Sequence, residues 1–375
     1  MKVGILGGGQ LGRMLLQQAA NYPVETWVME NDTHCPSAHL CHHFIKGDIR
    51  DFDAVYAFGQ LVDSLTIEIE HVNVEALEIL EKEGKTIVPS PAALRTIKDK
   101  ILQKQCYLQN QLPSPSFLIT KNKLETINLL SFLPAVQKLA VGGYDGKGVQ
   151  VLKNEKDIEK AFDAPSVLEK MVDIYKEIAI TVAIDSKGQF VCYPPVEMVF
   201  DPILNLLDYQ ICPANLPTTI LEKAKSIAIK TAKAFQSPGL FAIELFVDNS
   251  NEIWVNETAP RVHNSGHHTI EAHYSSQFDM LWRIILNYPL GETNYIKPSV
   301  MVNLVGAEGF KGDVFYRGLE DVLSIPNIFV HLYGKLQTSP GRKMGHITIM
   351  GDDVAILMKK AILVKQQLTV ISKES

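Results

Sequence analysis

Phe241-Ala-Ile-Glu-Leu-Phe-Val247, a turn, Ile253-Trp-Val255 and then Asn256-Glu-Thr-Ala-Pro-Arg-Val-His-Asn-Ser-Gly-His267 form the stretch that decides the fold. The first run reads as a buried strand with one acid, Glu244, in its middle. Asp248 to Asn251 supply turn residues, and Ile253 resumes a strand. A hairpin turning at residues 250 and 251 sets Glu244 roughly opposite Glu257. Two carboxylates side by side repel unless a cation joins them. Magnesium, a hard ion that takes carboxylate oxygens and substrate phosphates, suits that place. The rest of the stretch holds an arginine, two histidines and several amides and hydroxyls, punctuated by Pro260 and Gly266. A core strand cannot hide so many polar groups, because each buried and unpaired one costs roughly 1–3 kcal/mol. The segment is therefore expected to face water, a ligand or a metal.

The whole chain sets the bounds. Its 375 residues are too many for one small core and point to several packed units. At 46% hydrophobic and 21% charged, the composition is that of an ordinary globular protein. A formal net charge of -6 gives no reason to expect a nucleic-acid partner. No secretory leader is legible after Lys2, and no apolar run reaches the ~18 residues of a membrane span. The five cysteines, 35, 41, 106, 192 and 212, include no Cys-x-x-Cys pair, so reduced thiols in a cytoplasmic protein are expected. His34-Cys-Pro-Ser-Ala-His-Leu-Cys-His-His43 crowds metal-ligand types into one short segment without a second cluster, and reads as a surface loop.

Organisation follows from the patterning. Residues 1–98 alternate strand and helix in the doubly wound manner: strands at 3–6, 25–29, 65–69 and 85–88, helices at 11–21 and 74–84. A helix carrying Lys98, Lys100 and Lys104 leads to Leu112-Pro-Ser-Pro115. Residues 99–180 form a smaller α/β unit with a glycine-rich loop. Residues 181–295 carry longer strands and the two acids. Residues 296–375 close the chain with a β-rich segment, and its last twenty residues read as an amphipathic terminal helix.

Two glycine motifs carry chemistry. Gly7-Gly-Gly-Gln-Leu-Gly12, between a strand and a helix, fits the dinucleotide fingerprint, with Glu30 placed like a ribose-binding acid. That leaves a nicotinamide-dependent dehydrogenase open, although the same turn serves any anionic group at a helix N-terminus. Gly142-Gly-Tyr-Asp-Gly-Lys-Gly148 is more specific. Its glycines let backbone N–H groups close around phosphate oxygens, and Lys147 adds a charge. It is no Walker A loop, because Gly148 follows the lysine. Val167-Leu-Glu-Lys-Met-Val172 reads as a hinge strand able to present backbone groups to an adenine edge, or as a plain strand whose charges point outwards. Pro340-Gly-Arg-Lys-Met-Gly-His346 offers Arg342 and Lys343 to a phosphate, or is a basic surface turn.

A glycine-rich loop, paired acids on adjacent strands and an N-terminal mononucleotide-type unit, in this order, resemble an ATP-grasp ligase. GGGQLGRM at 7–14, GGYDGKG at 142–148, NETAPRVHNSGH at 256–267 and PGRKMGH at 340–346 together resemble one family, 5-(carboxyamino)imidazole ribonucleotide synthase of purine biosynthesis. The resemblance covers Met1 to about Met350. It implies an ATP-grasp fold with an N-terminal Rossmann-like domain and a small C-terminal β-rich segment. The reaction it implies joins ATP, bicarbonate and 5-aminoimidazole ribonucleotide through carboxyphosphate, giving ADP, phosphate and the N-carboxylated ribonucleotide. A homodimer is implied as well.

The resemblance also distributes roles. Glu244 and Glu257 would hold magnesium, with Asn256 beside them. Lys100, Lys138, Gly142, Gly143, Tyr144, Asp145, Gly146, Lys147, Gly148, Glu169, Lys170, Met171, Val172, Glu177 and Glu197 would line the ATP site. Arg261, His263, Tyr144, Asp145 and Lys335 are the catalytic candidates, Arg261 for the carboxyphosphate. Gly9, Gln10, Asn264, Arg342 and Lys343 would take the ribonucleotide, with His71 a weaker neighbour. The chain departs from the family pattern at Lys100, where arginine is frequent, and at Leu139-Ala-Val141, where basic residues are common. An ATP-grasp enzyme acting with formate, such as a transformylase, is the neighbouring alternative.

Overall fold

The computed structural model describes residues 1–143, 148–204 and 206–373. Its N-terminal layer is a five-stranded parallel sheet in the order His43–Lys46, Glu25–Glu30, Lys2–Leu6, Ser64–Ile67, Thr86–Val88. Two elements went unread in the sequence, the edge strand His43–Lys46 and the helix Phe52–Gln60. The helix is capped by Asp51, whose side chain accepts from Ala54 N–H. The strand expected at 65–69 stops at Ile67, because Glu68 turns its carboxylate to the glycine turn.

The helix Gln10–Ala19 buries Leu11, Met14, Leu15 and Ala19 on one face. That face meets the helix Gln277–Ile285, where Trp282, fully buried, donates its indole N–H to the Leu15 carbonyl at 2.8 Å. Gln18 reaches Asp279 at 3.1 Å in the same contact, so the N-terminal layer is packed onto the rest of the chain.

The single helix expected to carry Lys98, Lys100 and Lys104 is two helices, Pro91–Lys98 and Lys100–Gln109. Asp99 adopts an extended conformation, which ends the first helix. Its carboxylate then accepts from Ile101 and Leu102 N–H and starts the second. The break redirects the chain so that Lys100 N–H bonds the Ala140 carbonyl, next to the glycine-rich loop.

A four-stranded antiparallel sheet follows, ordered Phe117–Thr120, Ser166–Lys170, Ala135–Leu139, Val149–Leu152. The largest sheet has nine strands. Its main path runs Ile253–Ala259, Gly239–Asp248, Ile174–Ile184, Val196–Phe200, Leu207–Cys212, Ser299–Val305, Lys343–Met350, Ile328–Leu332. The helix Thr218–Ala234 packs on one face of it through Ala224, Ile227 and Ala228. At the C-terminus the helix Val354–Gln367 is shorter than expected. The chain then turns back as a strand, Thr369–Ser372, which pairs with Gly312–Arg317.

Candidate active site

The hairpin register is the core of the site. Gly239–Asp248 and Ile253–Ala259 pair antiparallel with Glu244 directly opposite Glu257, and the register shifts just after Glu244. Asp248 shapes the turn by accepting from Ser250 and Glu252 N–H, with Asn251 at φ 63. Both acids project into a half-buried cleft. Burial, then the charges of Glu257 and Glu177, pushes Glu244 up to about 8. Glu257 moves the other way: Lys100, its direct ion-pair partner, holds it well below the usual carboxylate range. Burial works against the Lys100 charge, yet the surrounding acids keep it above its ordinary value.

A second set of charges reaches the hairpin from the four-stranded sheet. Lys138 Nζ donates to Asn256 Oδ1 at 2.7 Å and lies 3.1 Å from Glu169 Oε1. Asn256 in turn donates to Glu244 at 3.4 Å. Burial disfavours charge on Glu169, but Lys138 and Lys104 outweigh it and hold the group below its usual value. Glu177, on the strand beside Glu244, is pushed up to about 7, chiefly by burial. Glu197 is held by Lys176 at 2.6 Å.

Beyond Pro260, Arg261 Nε lies 2.9 Å from Glu70 Oε1 of the N-terminal layer. His263 Nε2 is 3.8 Å from Glu244 Oε1, and its Nδ1 meets Ser265 Oγ at 3.0 Å. Asn264 is buried, and neither atom of its amide has a partner among the described residues. Leaving both unmade is costly, which is what a group awaiting a polar ligand shows. Lys335 Nζ donates to the Lys343 carbonyl at 2.7 Å, and Arg342 donates to the Gln337 carbonyl at 2.7 Å. Around them lies a cavity of about 270 Å³, walled by Asp32, His34 and Pro36 on one side and by Lys335, Gln337 and Arg342 on the other.

Comparison with known proteins gives this geometry its family. Residues 1–98 match the ribonucleotide synthetase preATP-grasp domain, 105–278 the ATP-grasp domain, and 299–360 the phosphoribosylaminoimidazole carboxylase C-terminal domain. The N5-carboxyaminoimidazole ribonucleotide synthase of Synechococcus elongatus is 34% identical over 355 residues, covering 92% of this chain and 89% of that one. The chain belongs to the N5-carboxyaminoimidazole ribonucleotide synthase family. Among solved structures, the Thermotoga maritima synthetase of this family superposes with a TM-score of 0.92 at 39% identity, covering 99% of both chains. An Aspergillus clavatus synthase in complex with ADP and 5-aminoimidazole ribonucleotide matches with a TM-score of 0.88 at 32% identity, covering 97% of both. The chain spans 64% of the length of the phosphoribosylaminoimidazole carboxylase of Vigna aconitifolia, to which it is 35% identical. It is thus an ATP-grasp ligase by family.

Within this synthase family the residues named from sequence fall into three groups. Lys100, Lys138, Glu169, Glu177, Glu244, Asn256, Glu257 and His263 converge on the hairpin. Arg342 and Lys335 line the cavity instead, and Lys343 adjoins them through its carbonyl, which accepts from Lys335. Gly142, Gly143 and Gly148 close the neck of the glycine loop: a Cβ on Gly148 would stand 2.9 Å from Gly143 Cα, and Leu139 N–H bonds the Gly148 carbonyl. Tyr144, Asp145, Gly146 and Lys147 lie outside the described residues.

Three readings need correction. The glycine turn at 7–12 has no vacancy for a phosphate, because Glu68 accepts from Gly9 and Leu11 N–H at 2.8 and 3.1 Å and Glu30 accepts from Gly8 N–H at 3.2 Å. The Gly9 amide is thus engaged within the protein, leaving the Gln10 side chain as what this turn can offer. The same occupancy removes the dehydrogenase reading, since a pyrophosphate would have to displace a buried carboxylate. In the hinge, Lys170 and Met171 N–H are spent on the Ser116 and Pro134 carbonyls, and the Lys170 ammonium turns to the Phe132 and Leu133 carbonyls. Val172 is the position whose amide has no partner among the described residues.

The third correction concerns the end of the opening stretch. Ser265, His267 and His268 are buried rather than turned to a ligand: Gln277 donates to His267 Nδ1 at 3.1 Å, and Gln210 to His268 Nδ1 at 2.7 Å. Cys212, His268 and His273 bring ligand-type atoms within 4.8 Å of one another. With His268 Nδ1 accepting from Gln210, however, its proton sits on Nε2, which leaves that nitrogen no lone pair for a metal. Missed in the sequence were Glu68, Glu70 and Lys104. Each is an ionisable residue inside an apolar pattern, which is the signal that was available.

Proposed function

We propose that the chain uses ATP and bicarbonate to carboxylate the amine of 5-aminoimidazole ribonucleotide, giving N5-carboxyaminoimidazole ribonucleotide, ADP and phosphate in purine biosynthesis. The observation that carries the reading is the pairing of Glu244 with Glu257 beneath Lys100 and Lys138, in a chain of the synthase family. Bicarbonate is a poor electrophile. Transfer of the γ-phosphoryl group to one of its oxygens releases ADP and makes carboxyphosphate. The ribonucleotide amine then takes the carboxyl group as phosphate leaves and the amine loses a proton. Such transfers depend on positioning and charge neutralisation.

The residues fit magnesium. Glu244 is held protonated by burial and by its neighbour's charge, so a divalent cation between the two acids would relieve a repulsion the fold has built in. When bound, that ion would neutralise the ATP phosphates. Lys138 and Lys100 supply further positive charge there, Glu177 faces the nucleotide sugar, and the Val172 amide faces the base. Arg261, His263 and Asn264 would hold the carboxyl group and the acceptor amine, chemistry in which the family resemblance also gives Tyr144 and Asp145 a part. Arg342, Lys343 and Lys335 would take the ribonucleotide phosphate at the cavity, with Gln10 of the glycine turn a further candidate contact. Within this reading the chain has four working parts, 1–98, 99–180, 181–295 and 296–375.

No helix among the described residues is long and apolar enough to cross a membrane. A cytoplasmic homodimer is part of the same proposal, to be checked by light scattering. The activity itself is tested by ATP hydrolysis with and without each co-substrate. Release of ADP that requires the ribonucleotide and rises with bicarbonate supports the reading. Release that requires formate instead would replace it with the transformylase.

A further inference from the structure

Lys104 is an ammonium in the interior. It lies on the helix Lys100–Gln109 with its side chain 1% exposed, and it belongs to neither the cleft nor the cavity. Its Nζ stands 3.1 Å from Glu169 Oε2, donates to Ser114 Oγ at 2.9 Å and lies 5.6 Å from the centre of the Tyr107 ring. Glu169, on the strand Ser166–Lys170, is equally enclosed at 3% exposed. Lys138 Nζ lies 3.1 Å from its other oxygen, Oε1, and also donates to Oε2 at 3.2 Å. One buried carboxylate is therefore shared between two ammonium groups, and the trio carries a net positive charge.

Stability does not ask for this arrangement. Lys138 alone would neutralise Glu169, and an apolar side chain at 104 would fill the same space without a second charge to desolvate. The surplus charge has a direction. Lys104 holds Glu169 from the side of Ser114, while Lys138 reaches across to Asn256 Oδ1 and so to the hairpin. We propose that Lys104 is a positioning residue of the nucleotide site: its ammonium helps satisfy Glu169 from within the protein, so that the Lys138 ammonium keeps its place for the ATP phosphates. The inference rests on the proposed function above, and it adds a residue that never touches substrate.

A pH dependence follows. Burial brings the Lys104 ammonium down to about 8, although Glu169 works to raise it; Lys138 and Lys100 repel it further. Facing it are Glu169 and Lys138 from the four-stranded sheet, Lys100 and Tyr107 from its own helix, and Ser114 from the following segment. Below that pH Lys104 is charged and shares the Glu169 carboxylate with Lys138, so Lys138 can turn to phosphate. Above it, of these two lysines Lys138 alone balances Glu169, and ATP binding weakens.

The experiment measures ATP affinity directly by calorimetry, with magnesium present, alongside steady-state kinetics, on the wild type, Lys104→Met and Lys104→Arg. The expected result is an increase of about tenfold or more in the ATP Kd and KM of Lys104→Met at pH 7. The KM for the ribonucleotide should stay unchanged, and Lys104→Arg should recover part of the loss. The wild type should bind ATP more weakly as pH rises from 7 to 9, and Lys104→Met should lack that fall. An unchanged ATP Kd in Lys104→Met overturns the inference, as does a loss of activity with normal KM values that tracks the amount of folded protein. If Lys104→Met does not fold, a wild-type ATP Kd that stays flat from pH 7 to 9 overturns it as well. Absence of any ATP binding by the wild type would strike the proposed function instead.

Discussion

Arg261 Nε and Glu70 Oε1 stand 2.9 Å apart, and they come from different layers of the molecule. The pair fastens the segment that follows the hairpin of Glu244 and Glu257 to the N-terminal layer. Both side chains are less than a fifth exposed, so the contact is sheltered from salt. Glu70→Gln removes the charge that aims the guanidinium and keeps the shape. The expected effect is a fall on the order of ten- to a hundredfold in kcat/KM for bicarbonate. The ATP Kd should be unchanged, measured by calorimetry beside the rate assay. A bicarbonate dependence equal to the wild type would show that Arg261 needs no anchor.

Glu257→Gln should abolish turnover, with a loss of about a hundredfold or more, while circular dichroism and the melting transition keep the wild-type form. The substitution removes a cleft charge and no core volume. Near-normal activity with an ordinary magnesium requirement would sink the two-acid arrangement.

Magnesium binding should release a proton. Glu244 is raised from 4.5 to about 8 in the metal-free protein, so it is mostly protonated at neutral pH. The sign for folding follows from the same shift. A carboxyl whose folded value is raised contributes stability below its unfolded value, and that stability is lost as pH rises through about 8. The melting temperature of the metal-free protein should therefore fall between pH 5 and 8 more steeply than that of Glu244→Gln. Added magnesium should restore it. Calorimetry in two buffers of different ionisation enthalpy gives the proton count directly, and equal heats in both would refute the release.

Arg342→Ala should raise the KM for the ribonucleotide about ten- to a hundredfold, the loss of one charge-assisted contact, and leave the KM for ATP within about twofold. Equal effects on both substrates would remove the cavity at 335–342 from the acceptor site.

The sequence was most legible where local rules set geometry. The turn at Asp248–Asn251 fixes the hairpin next to it, and a one-residue register shift just after Glu244 then brings Glu244 opposite Glu257 where the unshifted ladder would meet Asn256. It misled where a distant residue decides. Nothing near Gly7–Gly12 says that its amides are spoken for; Glu68, more than fifty residues away, settles that only once the parallel sheet has formed. His267 was read as the end of a stretch facing water, a ligand or a metal, yet a short helical turn at Asn264–Gly266 carries it, and His268 after it, into the core. Lys104 looked like one more basic residue on a helix face until Asp99 rotated that helix inward.

The nine-stranded sheet runs without interruption from the acids on Gly239–Asp248 and Ile253–Ala259 to the strand Lys343–Met350 beside Arg342. The distance between the proposed cation site and the proposed phosphate site is thereby a property of hydrogen-bonded backbone. For inhibitor chemistry the consequence is concrete. A single compound joining a triphosphate mimic to a sugar-phosphate mimic gains most from a stiff linker cut to that span, because the scaffold will not stretch or shrink to meet a wrong one.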